Sequence, residues 1–229
     1  MRSPFRPSHP STLARHLATA LPAGAAVAAP RQDVAERLGQ WLNVAEAISL
    51  HAALPAVKAA GEAAARRPPR TGAPALHAAL RAELERVRSG LVRSIAAAAA
   101  HRPDPADPDT ELALILQRLG DQQRRMELAI DALRDHVRQQ LAQGTPAMAQ
   151  LAAVDAVMDK LFGGREQRLL AGLPAFLKAR FATLRREAVA APASPPWLQT
   201  FASEFEQLLL AELDLRLQPV TGLIESLDA

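Results

Sequence analysis

The sequence predicts an all-α protein: a multi-helix bundle of about seven helices around one long central helix, whose stripe could also serve as a coiled-coil seam. Three observations predict it. Alanine, leucine and arginine dominate the 229 residues, aromatics make up 3% and β-branched runs are missing, which favours helix nearly everywhere. Apolar residues recur in alternating steps of four and three, the spacing of one helix face. Cap-then-proline signals precede several of these stretches, at Asp107-Pro108, Thr145-Pro146 and Ser194-Pro195.

The central stretch is Asp109 to Gln143. Its stripe is Leu112, Leu116, Leu119, Met126, Ile130, Leu133, Val137 and Leu141, with Gln123 in the one gap. At 1.5 Å per residue it spans roughly 50 Å, enough for other helices to pack along it. Its opening, Leu112 to Leu116, is apolar nearly all round, which suits a helix surrounded inside its own chain. The alternative is a seam shared with another copy, a homo-oligomer.

In chain order, residues 1–30 read as a flexible tail. Within it Ser11 to Leu21 forms a short helix presenting Leu13, Leu17 and Leu21, and Pro22 to Pro30 is a small-residue linker. Residues 31–229 read as a single bundle domain. Gln32 to Ala53 is a strong helix with Val34, Leu38, Trp41, Ala45, Ile48 and Ala52 facing inward; Pro55 ends or kinks it, and a weaker alanine-rich turn runs to Ala65. Arg66 to Pro74, RRPPRTGAP, is a mobile linker.

Ala75 to His101 resumes as helix with Leu76, Leu80, Leu84, Val87, Leu91 and Ile95, and Pro103 to Asp109 stops it. Asp107 caps the central helix, Pro108 starts it and Gly144 closes it. Pro146 to Phe162 is then its antiparallel neighbour, ended by Gly163-Gly164. Arg165 to Ala190 continues with a jog at Gly172-Leu173-Pro174. From Trp197 the next helix presents Leu198, Phe201, Phe205, Leu208, Leu209 and Leu213; Pro219 bends the chain, and Val220 to Leu227 forms a last short helix with Leu223 and Leu227 available to pack.

Composition narrows the function classes. Cysteine is absent, so disulfides and thiolate metal sites are excluded. No segment is apolar and long enough to span a bilayer, because Glu46, prolines and glutamines interrupt the best windows. The six histidines never fall in a metal-binding helical spacing. Asp104, Asp107 and Asp109 lack the glycine and glutamate of a calcium loop, and no phosphate loop or serine elbow exists. No cofactor, metal or catalytic residue is therefore expected, and the reading is non-enzymatic.

Charge is uneven. From residue 193 onward six acids accompany one arginine, Arg216, while Glu62 to Arg102 holds eight arginines and three glutamates, so one part could clasp the other. Those arginines could also meet nucleic acid or an anionic surface. They are interleaved with Glu83 and Glu85 and carry no stacking aromatic, which makes nucleic acid the weaker partner. The candidate interaction residues are Trp41 and Trp197, the two tryptophans; Gln123, a polar seam residue able to set register; and Arg66, Arg67 and Arg70 of the linker.

Three stretches, AERLGQWLNVAEAISLHAAL at Ala35 to Leu54, GGREQRLLAGLPAFL at Gly163 to Leu177 and AELDLRLQPVTGLIESL at Ala211 to Leu227, resemble the proteobacterial family catalogued as domain of unknown function 3348. The resemblance covers the chain from about residue 31 onward. The family has no assigned activity, so it implies no catalytic residues. The resemblance implies that its genes often lie beside a membrane protein resembling the MotA, TolQ and ExbB stators and beside an OmpA-like wall-binding protein. The resemblance thus implies an interaction or scaffolding accessory of a bacterial envelope complex, with those proteins as partners, cytoplasmic and peripheral to the inner membrane.

Overall fold

Alanine-rich, leucine-striped segments need neighbouring helices to bury their stripes, and they find them within one chain. The computed structural model describes residues 44–67, 73–99, 104, 106–190 and 197–228. Among these run six α-helices: α1 (Val44–Ala65), α2 (Ala73–Ala99), α3 (Pro108–Ala142), α4 (Pro146–Leu170), α5 (Leu173–Ala190) and α6 (Trp197–Glu225). A 3₁₀ turn, Ser226–Asp228, follows α6, and no strand occurs among the described residues. The expected helix at Ser11 to Leu21, the first part of the Gln32 to Ala53 helix and the linker prolines lie outside the described residues.

The central helix is α3, and α2, α4, α5 and α6 pack around it. Asp107 caps it as expected: its Oδ1 accepts the Thr110 N–H at 3.2 Å and its Oδ2 the Thr110 hydroxyl at 2.6 Å. These hydrogen bonds, the side-chain one first, hold the Asp107 carboxyl below its ordinary value. At the other end Gln143 is the C-cap, and Gly144 donates to Leu141 O at 2.9 Å. Here glycine is a matter of space, since a Cβ on Gly144 would sit 3.2 Å from that oxygen and 2.6 Å from the Met148 Sδ. Thr145 then caps α4, accepting from the Met148 N–H at 3.3 Å.

The core joins α2 to α6 in one cluster, with Leu80, Ile95, Leu119, Met126, Leu141, Leu177, Phe201, Phe205 and Leu209 among its most enclosed members. Phe181 of α5 meets Phe201 and Trp197 edge-on, with ring centroids 5.2 and 5.0 Å apart. The α3 stripe differs in detail from its expected form. Leu112 and Leu116 are half-buried, and Ile115, Glu111 and Gln122 are buried beside the stripe.

Three expected helix ends do not occur. Pro55 lies inside a continuous α1, α4 runs through Gly163-Gly164 to Leu170, and α6 runs through Pro219 to Glu225. Packing overrides the local preference in each case: a proline removes one hydrogen bond and a glycine pair costs about 2 kcal/mol, less than a long apolar face contributes. At the expected linker, Arg66 and Arg67 form the turn after α1 and α2 begins at Ala73.

The largest correction concerns α1. Its outer side, not its buried side, carries Ala45, Ile48 and Ala52; Ile48 is 63% exposed. The residues turned inward are Leu50, Ala53, Val57, Ala60, Gly61 and Ala64, and they run antiparallel along α4, where Gly61 meets Gln150. These small residues let the two helices approach closely.

Phe205→Ala removes a ring that is fully enclosed between α6 and its neighbours. It should lower unfolding free energy by about 3–5 kcal/mol in denaturant titration while leaving far-ultraviolet helicity intact.

Candidate functional site

The helix pair α3 and α4 carries two like-charge pairs at i, i+4, Arg134 with Arg138 and Asp155 with Asp159. On an isolated helix such pairs repel. Here each helix supplies the other's countercharge, and the tight turn at Gly144-Thr145 brings them level. Arg134 grips Asp155 bidentately, Nε to Oδ2 at 2.9 Å and Nη2 to Oδ1 at 2.7 Å, and reaches Asp159 at 2.6 Å through Nη1. Arg138 repeats the arrangement, donating to Asp155 at 2.7 Å and Asp159 at 2.7 Å, and adds Asp135 at 3.0 Å.

Every aspartate of the square thus serves both arginines. Burial alone would weaken the Arg138 cation, but its hydrogen bonds to Asp159 and Asp155 outweigh this and raise its pKa. The Arg134 and Asp155 side chains are only 14% and 11% exposed, so these are desolvated, geometrically matched pairs rather than surface contacts.

About three turns before the square along α3, at the level of Gln123, Glu212 of α6 is wholly buried. Its carboxylate accepts from Gln123 Nε2 of α3 at 3.2 and 3.1 Å and from Arg216 Nε at 2.9 Å. The expected seam residue Gln123 is therefore a hydrogen-bond donor fixing α3 against α6. Its neighbour Gln122 faces α2, where Ser94 Oγ donates to its Oε1 at 3.1 Å. Adjacent glutamines thus address two different helices, α2 and α6, since neighbours on a helix point about 100° apart.

Arg134, Arg138, Asp159 and Arg216 line a cleft of about 310 Å³ between α3, α4 and α6, with Asp131 and Lys160 at its edge. Asp131 stands out chemically. Burial, then the charges of Asp159, Glu127 and Asp135, push its carboxyl above the ordinary value, with only Arg134 opposing. Among the described residues no group of histidines and carboxylates could hold a metal ion.

The remaining charge is distributed as the uneven composition suggested. Arg180 of α5 clasps Glu204 bidentately at 2.8 and 2.6 Å, which raises the arginine's pKa, and Arg88 of α2 meets Asp214 at 3.1 Å. The acidic C-terminal helix is thus held by arginines from earlier in the chain. His136, whose side chain is 43% exposed, lies 3.5 Å from Glu83.

Of the candidate interaction residues, Trp197 is half-buried against Phe181, Gln123 binds Glu212, and Arg67 donates from Nη1 to the Ala142 carbonyl at 3.1 Å. Arg66 is exposed, its Nη2 4.0 Å from Glu62. Trp41 and Arg70 lie outside the described residues. Sequence reasoning did not single out Arg134, Arg138, Asp155, Asp159 or Glu212. The like-charge i, i+4 pairs on consecutive helices were the available signal for four of them.

Compared with known families, residues 1–229, the whole chain, match the family described as Protein of unknown function (DUF3348), and the chain belongs to it. No curated protein and no solved structure matches. Among the described residues no helix is long and apolar enough to cross a membrane.

Two substitutions check this electrostatic account. Arg216→Met strands the buried Glu212 carboxylate and should cost about 3–5 kcal/mol in unfolding free energy, of which Glu212→Gln in the same chain should return a large part. Asp131→Asn removes a carboxyl whose folded pKa lies above its unfolded one. That carboxyl contributes stability only while protonated, at low pH, and loses the contribution as pH rises through its folded pKa. The variant should therefore melt higher than the parent at neutral pH and equal to it well below pH 4.

Proposed function

We propose that the chain is a non-enzymatic helical interaction or scaffolding protein, serving as an accessory of a bacterial envelope complex. The observation that carries this reading is the double-sided α1. A helix of the bundle's outer layer ordinarily has one apolar stripe and one polar face. Here the stripe on α4 is matched by a second, opposite one in which Val44 is 78% and Ile48 63% exposed, flanked by Leu54 at 50%. Large apolar side chains set together on the outside mark a surface for another protein. The charged groups of the cleft, by contrast, are largely satisfied by one another, which leaves few of them to act on a substrate.

The setting comes from the family resemblance: a stator-like membrane protein and an OmpA-like protein are the partners it implies, with the chain on the cytoplasmic side, peripheral to the inner membrane. Purification of the tagged protein from detergent-solubilised membranes of its native host, followed by mass spectrometry, tests it. Those partners should be recovered with the parent chain and lost with Ile48→Glu; equal recovery with both would refute a role for the α1 face.

A second reading, an arginine-mediated binder of nucleic acid or anionic surfaces, has its own support. Arg86 and Arg93 of α2 and Arg118 and Arg125 of α3 make no ion pair among the described residues, and Glu83, three positions before Arg86, lies 3.5 Å from His136. This reading expects affinity that falls steeply with salt, and replacing the four by alanine should abolish it.

A further inference from the structure

We infer that the outer face shared by α2 and α3 docks onto a bilayer surface rich in anionic lipid, with four arginines on the lipid phosphates and Leu128 entering the interface between them. The inference rests on the arginine-mediated reading above and names its anion. Two contacts fix how the helices lie. Ser94 meets Gln122 and Glu83 meets His136, so α2 runs antiparallel to α3, and Arg93 comes level with Arg125 across the groove. Arg118 and Arg86 lie to either side of that level, about 20 Å apart along α3 at 1.5 Å per residue.

The same geometry puts all four on one side of the molecule. Leu84 and Leu91 mark the core side of α2, and Leu119 and Met126 that of α3. At about 100° per residue, Arg86 and Arg93 fall beyond Ser94 from that core, and Arg118 and Arg125 fall beyond Gln122. The nearest acids are occupied elsewhere: Asp121 pairs with Arg124, Glu85 lines the groove towards α6 beside Arg88, and Glu111 accepts the Asp104 N–H at 3.1 Å. Four permanently charged guanidiniums thus share one strip without a countercharge among the described residues, and an anionic surface relieves their mutual repulsion.

Two observations select a bilayer over nucleic acid. Leu128 falls between Arg125 and the level of Arg86, on the outward side of α3, and is 74% exposed. An apolar side chain within a basic face is the pattern of interfacial helices, whose cations meet phosphates while the apolar group enters the headgroup boundary. The second observation is breadth. Two helices about 8–10 Å apart form a face roughly 20 Å across, whereas the major groove, about 12 Å wide, admits one helix. Neither α2 nor α3 carries a phenylalanine, tyrosine or tryptophan on which the bases of a single strand could stack.

Co-sedimentation of the full chain with vesicles of phosphatidylcholine and phosphatidylglycerol in equal parts, and with vesicles of phosphatidylcholine alone, tests the inference. The chain should pellet with the first and not the second, and its partition should fall steeply with added salt. Arg86→Gln, Arg93→Gln, Arg118→Gln and Arg125→Gln should each weaken binding about fivefold and together about 600-fold. Leu128→Ala should weaken it about tenfold. None of these five side chains belongs to the core cluster or to an ion pair, so melting temperature without vesicles should not change. The absence of cysteine allows a second readout. A polarity-sensitive dye on Ser89→Cys, exposed on the same face, should shift its emission to shorter wavelength on the anionic vesicles, and the same dye on Lys178→Cys of α5 should not.

No binding to the anionic vesicles overturns the inference, as does equal binding to phosphatidylcholine alone, binding that survives loss of the four arginines or of Leu128, or a dye that shifts at Lys178 and not at Ser89. Should the chain ignore vesicles yet retain duplex DNA or RNA through the same four arginines, the bilayer falls and the arginine reading stands. If it retains neither, both fall.

Discussion

The ion-pair square of Arg134, Arg138, Asp155 and Asp159 is the constraint on which the outer layer depends. It sets α4 in register against the central helix, since a slide by one turn would leave one arginine and one aspartate facing apolar side chains. Through α4 it also sets α1, which packs along α4 and adds no member to the main core cluster. Desolvated ion pairs are weak sources of net stability but demanding of geometry. The apolar contacts of Val137, Leu141, Met148 and Ala152 supply attraction at the same junction, and the square decides where that attraction is satisfied.

The same division of labour recurs at the centre. Leucine and phenylalanine side chains hold α3, α2 and α6 together without distinguishing them sharply. Gln122 and Gln123 supply the distinction, one turned to Ser94 and the other to Glu212. A buried carboxylate held by an amide and a guanidinium tolerates far less displacement than a methyl group among methyl groups. The bundle therefore carries its specificity in a few polar pairs and its cohesion in the many apolar ones.

These two kinds of information were unequally legible in the sequence. The all-helical class, the length of α3, the caps at Asp107 and Thr145 and most of the inward leucines and phenylalanines follow from local chemistry, which a single chain displays openly. Pro219 and Gly163-Gly164 misled because breaker residues report only local preference, and α6 and α4 draw their stability from neighbours distant in sequence. For α1 the difficulty was different. It carries two apolar stripes, and periodicity reveals that a stripe exists without revealing which one meets the rest of the fold. Glu212 was read only as one of six acids near the C-terminus, because burial of a charge depends on Gln123, 89 positions earlier. Membership of the family was legible in short motifs, since these keep their wording whatever the packing.

The pairing of α1 with α4 bears on how the chain is made. Gly61 and its neighbour Gln150 stand 89 residues apart, so α1 is complete while most of the sequence that will cover its inner side is still untranslated. At roughly 5–20 residues per second the interval lasts several seconds, far longer than a helix needs to form. During it both apolar sides of α1 are unattended, on a nascent chain whose neighbours on the same message carry the identical segment. A stripe of this kind belongs to the period of synthesis as much as to the finished fold, and its alanines, which limit the apolar area it offers, moderate the risk of early mispairing.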